Sequence, residues 1–165
     1  MTVKLDRNTI IFDGISTLSV PLSLDCGQAF RWSEKEDGVW HGVAFSRAVD
    51  ISQKDGQLII NGTLDEGDEQ LWADYFDLNR DYTSICETLK NDGHLKTAIE
   101  AYSGIRILRQ DSWEALCSFI ISQNNNIPRI KKIIRALCDA YGDNGSFPTA
   151  EALAEAGADN LYALR

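Results

Sequence analysis

Apolar residues change their spacing once along this chain, between Gly62 and Asp68, and the change separates two kinds of element. Before it the runs are short and alternate. Leu18, Val20, Leu22 and Leu24 alternate with polar residues or proline, which predicts a strand with one buried face. Phe30-Arg31-Trp32, Val39 to Val43 and Ala48 to Ile51 continue in strand-sized pieces, and Asp37-Gly38 and Asp55-Gly56 supply tight-turn residues. Leu58 to Gly62 is the last strand of an antiparallel meander covered on one side. From Asp68 the period is helical. Leu71, Trp72, Tyr75, Phe76 and Leu78 mark one helix, and Tyr82, Ile85, Cys86 and Leu89 a second. Leu95, Ile99 and Tyr102 mark a third, stopped by Gly104. Asp111 with Glu114 predicts a capping-box start for a helix that buries Trp113, Leu116, Cys117, Ile120 and Ile121. The next helix buries Ile127, Ile130, Ile133, Ile134, Leu137, Cys138 and Tyr141. Gly142 to Gly145 and Pro148 break the chain, and Thr149 starts another short helix. The final Asn160 to Arg165 shows no capping glycine or proline, so the chain is expected to be cut there. The class is α+β: an antiparallel sheet with packed helices over residues 1–104, then helices over 105–165 that begin a second domain.

The two longest helical runs meet at Asn124-Asn125-Asn126. Asparagine tolerates left-handed backbone angles and caps the helix that follows, and Pro128 suits a first helical turn. A turn and a cap account for one or two asparagines. The third, with Arg129 close behind, leaves a functional polar cluster open beside the structural one.

Composition narrows the chemistry. With 44% hydrophobic and 25% charged residues the chain is ordinary for a globular protein of 165 residues. No apolar run reaches bilayer-spanning length and Met1 to Asp6 is no signal peptide. Cys26, Cys86, Cys117 and Cys138 lack metal-ligand spacing and read as reduced, buried thiols of a cytoplasmic protein; with only His41 and His94 besides, no metal is expected. A net charge of −9 opposes a general nucleic-acid binder. It is uneven, however. Tyr102 to Tyr141 holds six basic residues (Arg106, Arg109, Arg129, Lys131, Lys132, Arg135) against three acidic ones, whereas Asn61 to Glu100 holds ten acidic against three basic. Any nucleic-acid contact is therefore confined to one face, although a solvated acidic surface with a chance basic patch has the same signature. No nucleophile with its base is legible. Lys131 and Lys132 read as solvated or phosphate-facing, with approach of one to a ligand left open, and the four tryptophans read as core.

Two segments carry a resemblance. Phe119-Ile-Ile-Ser-Gln-Asn-Asn-Asn-Ile-Pro-Arg-Ile130 and Gly27-Gln-Ala-Phe-Arg-Trp32 resemble the 8-oxoguanine DNA glycosylases of the helix-hairpin-helix superfamily. The resemblance implies a TBP-like sheet domain over 1–104 and the first helices of an all-α glycosylase domain over 105–165. It implies recognition of 8-oxoguanine opposite cytosine in damaged double-stranded DNA by a base-excision-repair glycosylase and AP lyase. It also implies a monomer with no cofactor and no membrane, cytoplasmic in a prokaryote and nuclear in a eukaryote. An enzyme acting on a base in a duplex must extrude it and fill the gap. By similarity Asn124 fills it, with Asn125 and Asn126 beside it, and Arg129 offers planar donors to the widowed cytosine. Arg129 could equally be a surface arginine. The carbonyl of Gly27 is implied to accept from N7–H, a hydrogen present in the lesion and absent from guanine; a plain turn glycine is its alternative. Gln28, Phe30, Arg31 and Trp32 are expected to hold that turn. The family's Gly-rich hairpin with its reactive lysine, and the assisting aspartate, are expected beyond Arg165, with no catalytic residue before it. On this reading the chain is a truncated N-terminal portion, inactive alone. A non-catalytic damage-binding or interaction module, or a relative that excises alkylated bases, is the alternative.

Overall fold

The computed structural model describes residues 1–164. Six strands form one antiparallel sheet: β1 (Thr2–Asp6), β2 (Thr9–Asp13), β3 (Trp32–Glu34), β4 (Trp40–Ala44), β5 (Arg47–Lys54) and β6 (Gln57–Gly62). Their order is β1-β2-β6-β5-β4-β3. The meander β3 to β6 is as the turn signals predict, and β2 then pairs with β6 so that the N-terminal hairpin extends the sheet. Within that hairpin β2 buries Ile10 and Phe12 in alternation, whereas β1, although Val3 and Leu5 alternate with polar residues, is exposed at every position.

The Leu18 to Leu24 segment is not a strand. Val20–Leu24 forms a short helix, α1, capped by Ser19, whose hydroxyl accepts from the Leu22 N–H, with Pro21 in its first turn. Leu18, Val20 and Leu24 are buried as the alternation requires. Positions four apart share a face in a helix as well as in a strand, so burial of this trio does not separate the two.

One face of the sheet carries the core. Ile10, Phe12, Trp40, Val49, Ile51, Leu58 and Ile60 pack beneath α2 (Asp68–Tyr75), which contributes Trp72, Ala73 and Tyr75. Trp32 sits at the centre, 2% exposed, and its indole N–H donates to the Tyr75 hydroxyl at 2.8 Å. Burial pushes the Tyr75 phenol well above its ordinary range, so it stays a neutral partner for that indole. Arg106, only 3% exposed, ties the segments around the core together. Its guanidinium donates to the carbonyls of Thr17 and Asp77 and lies 4.1 Å from the centre of the Tyr82 ring.

The remaining helices are α3 (Tyr82–Leu89), α4 (Gly93–Ala101), α5 (Ser112–Ser122), α6 (Ile127–Tyr141) and α7 (Ala150–Tyr162). Of these, α6 comes nearest to its predicted stripe: Ile130, Ile133, Ile134, Leu137 and Cys138 are buried, but Ile127 at its start is 41% exposed and Tyr141 at its end is half-buried. The stripe expected to be buried on α5 is largely open, with Leu116 51% and Ile120 61% exposed, and the residue α5 does bury is Ser118. Periodicity reports that a helix has an apolar face, not that a neighbour covers it. The α3 and α4 faces are open for the same reason. The capping box at α5 is also half-formed. Asp111 accepts from the N–H groups of Trp113 and Glu114, but the Glu114 carboxylate turns away to Arg31.

Gly42 on β4 faces the Trp32 indole so closely that an added Cβ would overlap the ring. Since Trp32 is enclosed, the clash cannot be relieved at the surface. Gly42→Ala should lower unfolding free energy by about 1–3 kcal/mol, the usual cost of overpacking, read as a shifted urea midpoint with unchanged slope.

Candidate nucleic-acid interface

The turn between α5 and α6 gives each asparagine a different task. Asn124 takes the left-handed conformation, φ 57°, that reverses the chain. Asn125 closes α5, its side-chain amide donating to the Ile121 carbonyl at 2.7 Å. Asn126 caps α6, its side-chain oxygen accepting from the Arg129 N–H at 3.0 Å. Two side chains are thereby used up. That of Asn124 is exposed and has no hydrogen-bond partner among the described residues. Arg129, on the first turn of α6, is likewise exposed, and its guanidinium is unpaired among the described residues.

Against this turn lies the loop that joins α1 to β3. Gly27 is exposed, with φ +87°, and a Cβ built on it would stand 3.9 Å from Ile127 Cδ1. The two sequence segments, about a hundred residues apart, therefore meet at the start of α6. The distance is ordinary van der Waals contact, so it is the backbone angle and not crowding that favours glycine here.

Gln28 fixes the loop from one side. Its amide nitrogen donates to the Arg106 carbonyl at 2.8 Å, its amide oxygen accepts from the Leu108 N–H at 3.0 Å, and its own carbonyl accepts from Gln110 at 2.7 Å. Lys131 of α6 fixes it from the other. Its ammonium bonds the Asp25 carboxylate at 2.8 Å and the Trp32 carbonyl at 3.1 Å, bracketing the loop at both ends. Phe30 packs against the buried face of α6 beside Ile121 and Phe147. Arg31 pairs with Glu114 at 3.3 Å and donates to the Gly145 carbonyl. Burial raises the Glu114 carboxyl above its ordinary value, and the Arg31 charge pulls it back. Phe30 and Arg31 thus join sheet to helices, while Trp32 anchors the loop in the core.

Lys131, read from the sequence as solvated or phosphate-facing with approach to a ligand left open, is a half-buried staple across the loop. Its partner Asp25, and the Gln28 partners around residues 106–110, carried no sequence signal because they lie far apart along the chain. The basic patch also shrinks. Arg106 is buried and Arg109 pairs with Asp77 at 2.8 Å, which leaves Arg129, Lys132 and Arg135 on the outer face of α6. Beside them a groove of about 660 Å³ opens between α5, α6 and α7, with Asn124 and Arg129 among its lining residues.

The glycine loop ahead of β3 is thus seated against a helix–turn–helix whose Asn124 and Arg129 keep unpaired side chains among the described residues. The chain belongs to the 8-oxoguanine DNA glycosylase family: residues 10–116 match the family's N-terminal domain. It is 30% identical to the N-glycosylase/DNA lyase of Saccharomyces cerevisiae over 84% of its own length and 43% of the yeast protein. Among solved structures it resembles MBOgg1 in complex with a low-affinity DNA ligand, with a TM-score of 0.93 and 41% identity over 99% of this chain and 59% of that one. It also resembles the Clostridium acetobutylicum 8-oxoguanine glycosylase/lyase bound to double-stranded DNA containing cytosine opposite 8-oxoguanine, with a TM-score of 0.93 and 34% identity over 99% and 59% of the two chains.

These matches correct the expectation of a truncated, inactive N-terminal portion carrying only the first helices of a second domain. Sheet and helices superpose together, over 99% of the chain, on MBOgg1 and on the Clostridium acetobutylicum glycosylase/lyase. The chain spans 43% of the yeast relative and 59% of each solved chain, and where it stops carries no conclusion about its activity. In the last turn of α7 the N–H groups of Ala163 and Leu164 donate to the carbonyls of Asp159 and Leu161.

The asparagines can be separated by stability alone. Asn126→Ala removes a cap and should cost about 1 kcal/mol. Asn124→Gly keeps the left-handed turn and should be close to neutral, within about 0.5 kcal/mol. Chemical denaturation of both variants checks the division; equal losses would contradict it.

Proposed function

We propose that the protein is a DNA glycosylase and AP lyase that removes 8-oxoguanine opposite cytosine from duplex DNA. In this reading the described residues recognise the lesion and hold the opened duplex. The observation that carries it is the meeting of the Gly27 loop with the Asn124–Arg129 turn, two segments about a hundred residues apart in the chain.

Each group then has a task its chemistry suits. The Gly27 carbonyl accepts from N7–H of the extruded lesion, whereas guanine presents a bare acceptor at N7 and is repelled. Asn124, the asparagine with a free side chain, enters the gap, and its amide can both donate to and accept from the bases beside it. Arg129 offers its planar donors to the acceptor edge of the widowed cytosine. Gln28 and Lys131 hold the reading carbonyl in register with the gap-filling side chain.

Single-turnover excision from a duplex containing 8-oxoguanine, with extrusion followed by a fluorescent base analogue, tests both assignments. Gly27→Ala forces a side chain into a left-handed position and displaces the carbonyl. Excision should fall about tenfold or more, as a lost lesion-specific hydrogen bond of about 1–3 kcal/mol requires, while extrusion persists. Asn124→Gly should slow extrusion itself, whichever base leaves the stack. If Gly27→Ala lowers stability and excision in proportion, Gly27 is a turn glycine and the carbonyl assignment is lost. If the protein excises alkylated purines as readily as 8-oxoguanine, the lesion assignment is wrong.

A further inference from the structure

The outer face of α6 carries a row of cations that the proposed contacts leave unused. Arg129, Lys132 and Arg135 stand three residues apart, all exposed, and none makes an ion pair or side-chain hydrogen bond among the described residues. This departs from the rest of the chain, where most cations among the described residues have a partner. Arg31, Arg47, Arg80 and Arg109 each meet a carboxylate, as do Lys4, Lys35, Lys90 and Lys131, and Arg106 is enclosed by carbonyls. Only Arg7, Lys54 and Lys96 are also unpaired among the described residues, and they lie on three separate elements. In a protein with a net charge of −9, three free cations in one row are a local reversal of sign.

The row has a direction. It spans about 9 Å along the helix axis, and each step of three residues turns it back by about 60°, so it slants across the outer face. Arg129 stands at the edge of the α5–α6–α7 groove. Arg135 lines a second pocket, of about 350 Å³, on the side where α6 meets β3 and β4. The exposed Asp139 closes the row one turn further on, and the asparagine turn opens it. A narrow positive path bounded by acid is suited to one polyanionic strand rather than to a broad duplex surface.

We propose that this row holds the sugar–phosphate backbone of the strand opposite the lesion. The inference rests on the glycosylase reading, since it takes Arg129 to meet the widowed base. A base and its flanking phosphates are continuous, so the strand that places its base at Arg129 must carry its backbone over the neighbouring turns of α6. Lys132 and Arg135 meet successive phosphates there. Their contribution is sequence-independent, salt-dependent and indifferent to the lesion.

Fluorescence anisotropy with a labelled duplex containing 8-oxoguanine opposite cytosine, across a salt series, tests this. Lys132→Ala and Arg135→Ala should each remove close to one phosphate contact. Between about 50 and 200 mM salt, the affinity lost by each variant should be about threefold smaller than that lost by the parent. The same change should appear on undamaged duplex, and Lys96→Ala on α4 should leave the slope alone. Neutral methylphosphonates flanking the cytosine should abolish the difference between Lys132→Ala and the parent, and methylphosphonates flanking the lesion should not. Parental slopes for both variants, or the opposite strand dependence, would overturn the proposal while leaving the glycosylase reading intact. A parent protein that does not bind duplex DNA at all would overturn both.

Discussion

The side-chain amide of Gln28 ties the Gly27 loop to the fold. Gln28 uses its donor on the Arg106 carbonyl and its acceptor on the Leu108 N–H, so the loop after α1 is stitched to the segment before α5 as another strand would be. Two opposite polarities on one side chain allow only one register. A glutamate could not donate, and an aliphatic residue of the same length would leave two backbone groups without partners. Gly27 precedes this stitch directly, and its positive φ is one that glycine, lacking a Cβ, adopts without strain. Lys131 completes the frame from α6, with an ammonium placed where the loop begins and where it ends.

Each half of the site therefore depends on the other half of the chain. The sheet supplies Gly27, but its position relative to the asparagine turn is set by the α6 residues Ile127 and Lys131, one helical turn apart. Phe30 inserts the same loop into the buried face of α6, and Arg31 reaches both α5 and the segment before α7. Family membership rests on a match that runs from the second strand into α5 and so takes in the glycine loop's side of this joint. The asparagine turn and the row on α6 lie outside that match and inside the structural likeness to the Clostridium acetobutylicum glycosylase/lyase.

Local patterns carried much of this in the sequence, and pairings did not. The turn signals at Asp55-Gly56, the Asp111 cap and the α6 stripe each depend on neighbours in the chain, and each has its predicted role. The asparagine turn was legible to the level of a turn and a cap. Which of the three keeps a free side chain was not, because that follows from where α5 and α6 end within a residue. Lys131 failed differently: a lysine pattern on a helix says nothing about a carboxylate and a carbonyl some hundred residues earlier. The α5 face failed because apolar periodicity describes a surface without naming what lies against it.

The central claim is that one carbonyl, at Gly27, reads one hydrogen of the damaged base. Chemical removal of that hydrogen tests it without disturbing the protein. Excision should be compared between 8-oxoguanine and its N7-methylated analogue, each opposite cytosine in the same duplex, with extrusion monitored in parallel. The account predicts that both bases leave the stack, and that excision of the methylated analogue falls toward the level of undamaged guanine. Undiminished excision of the methylated base would contradict it.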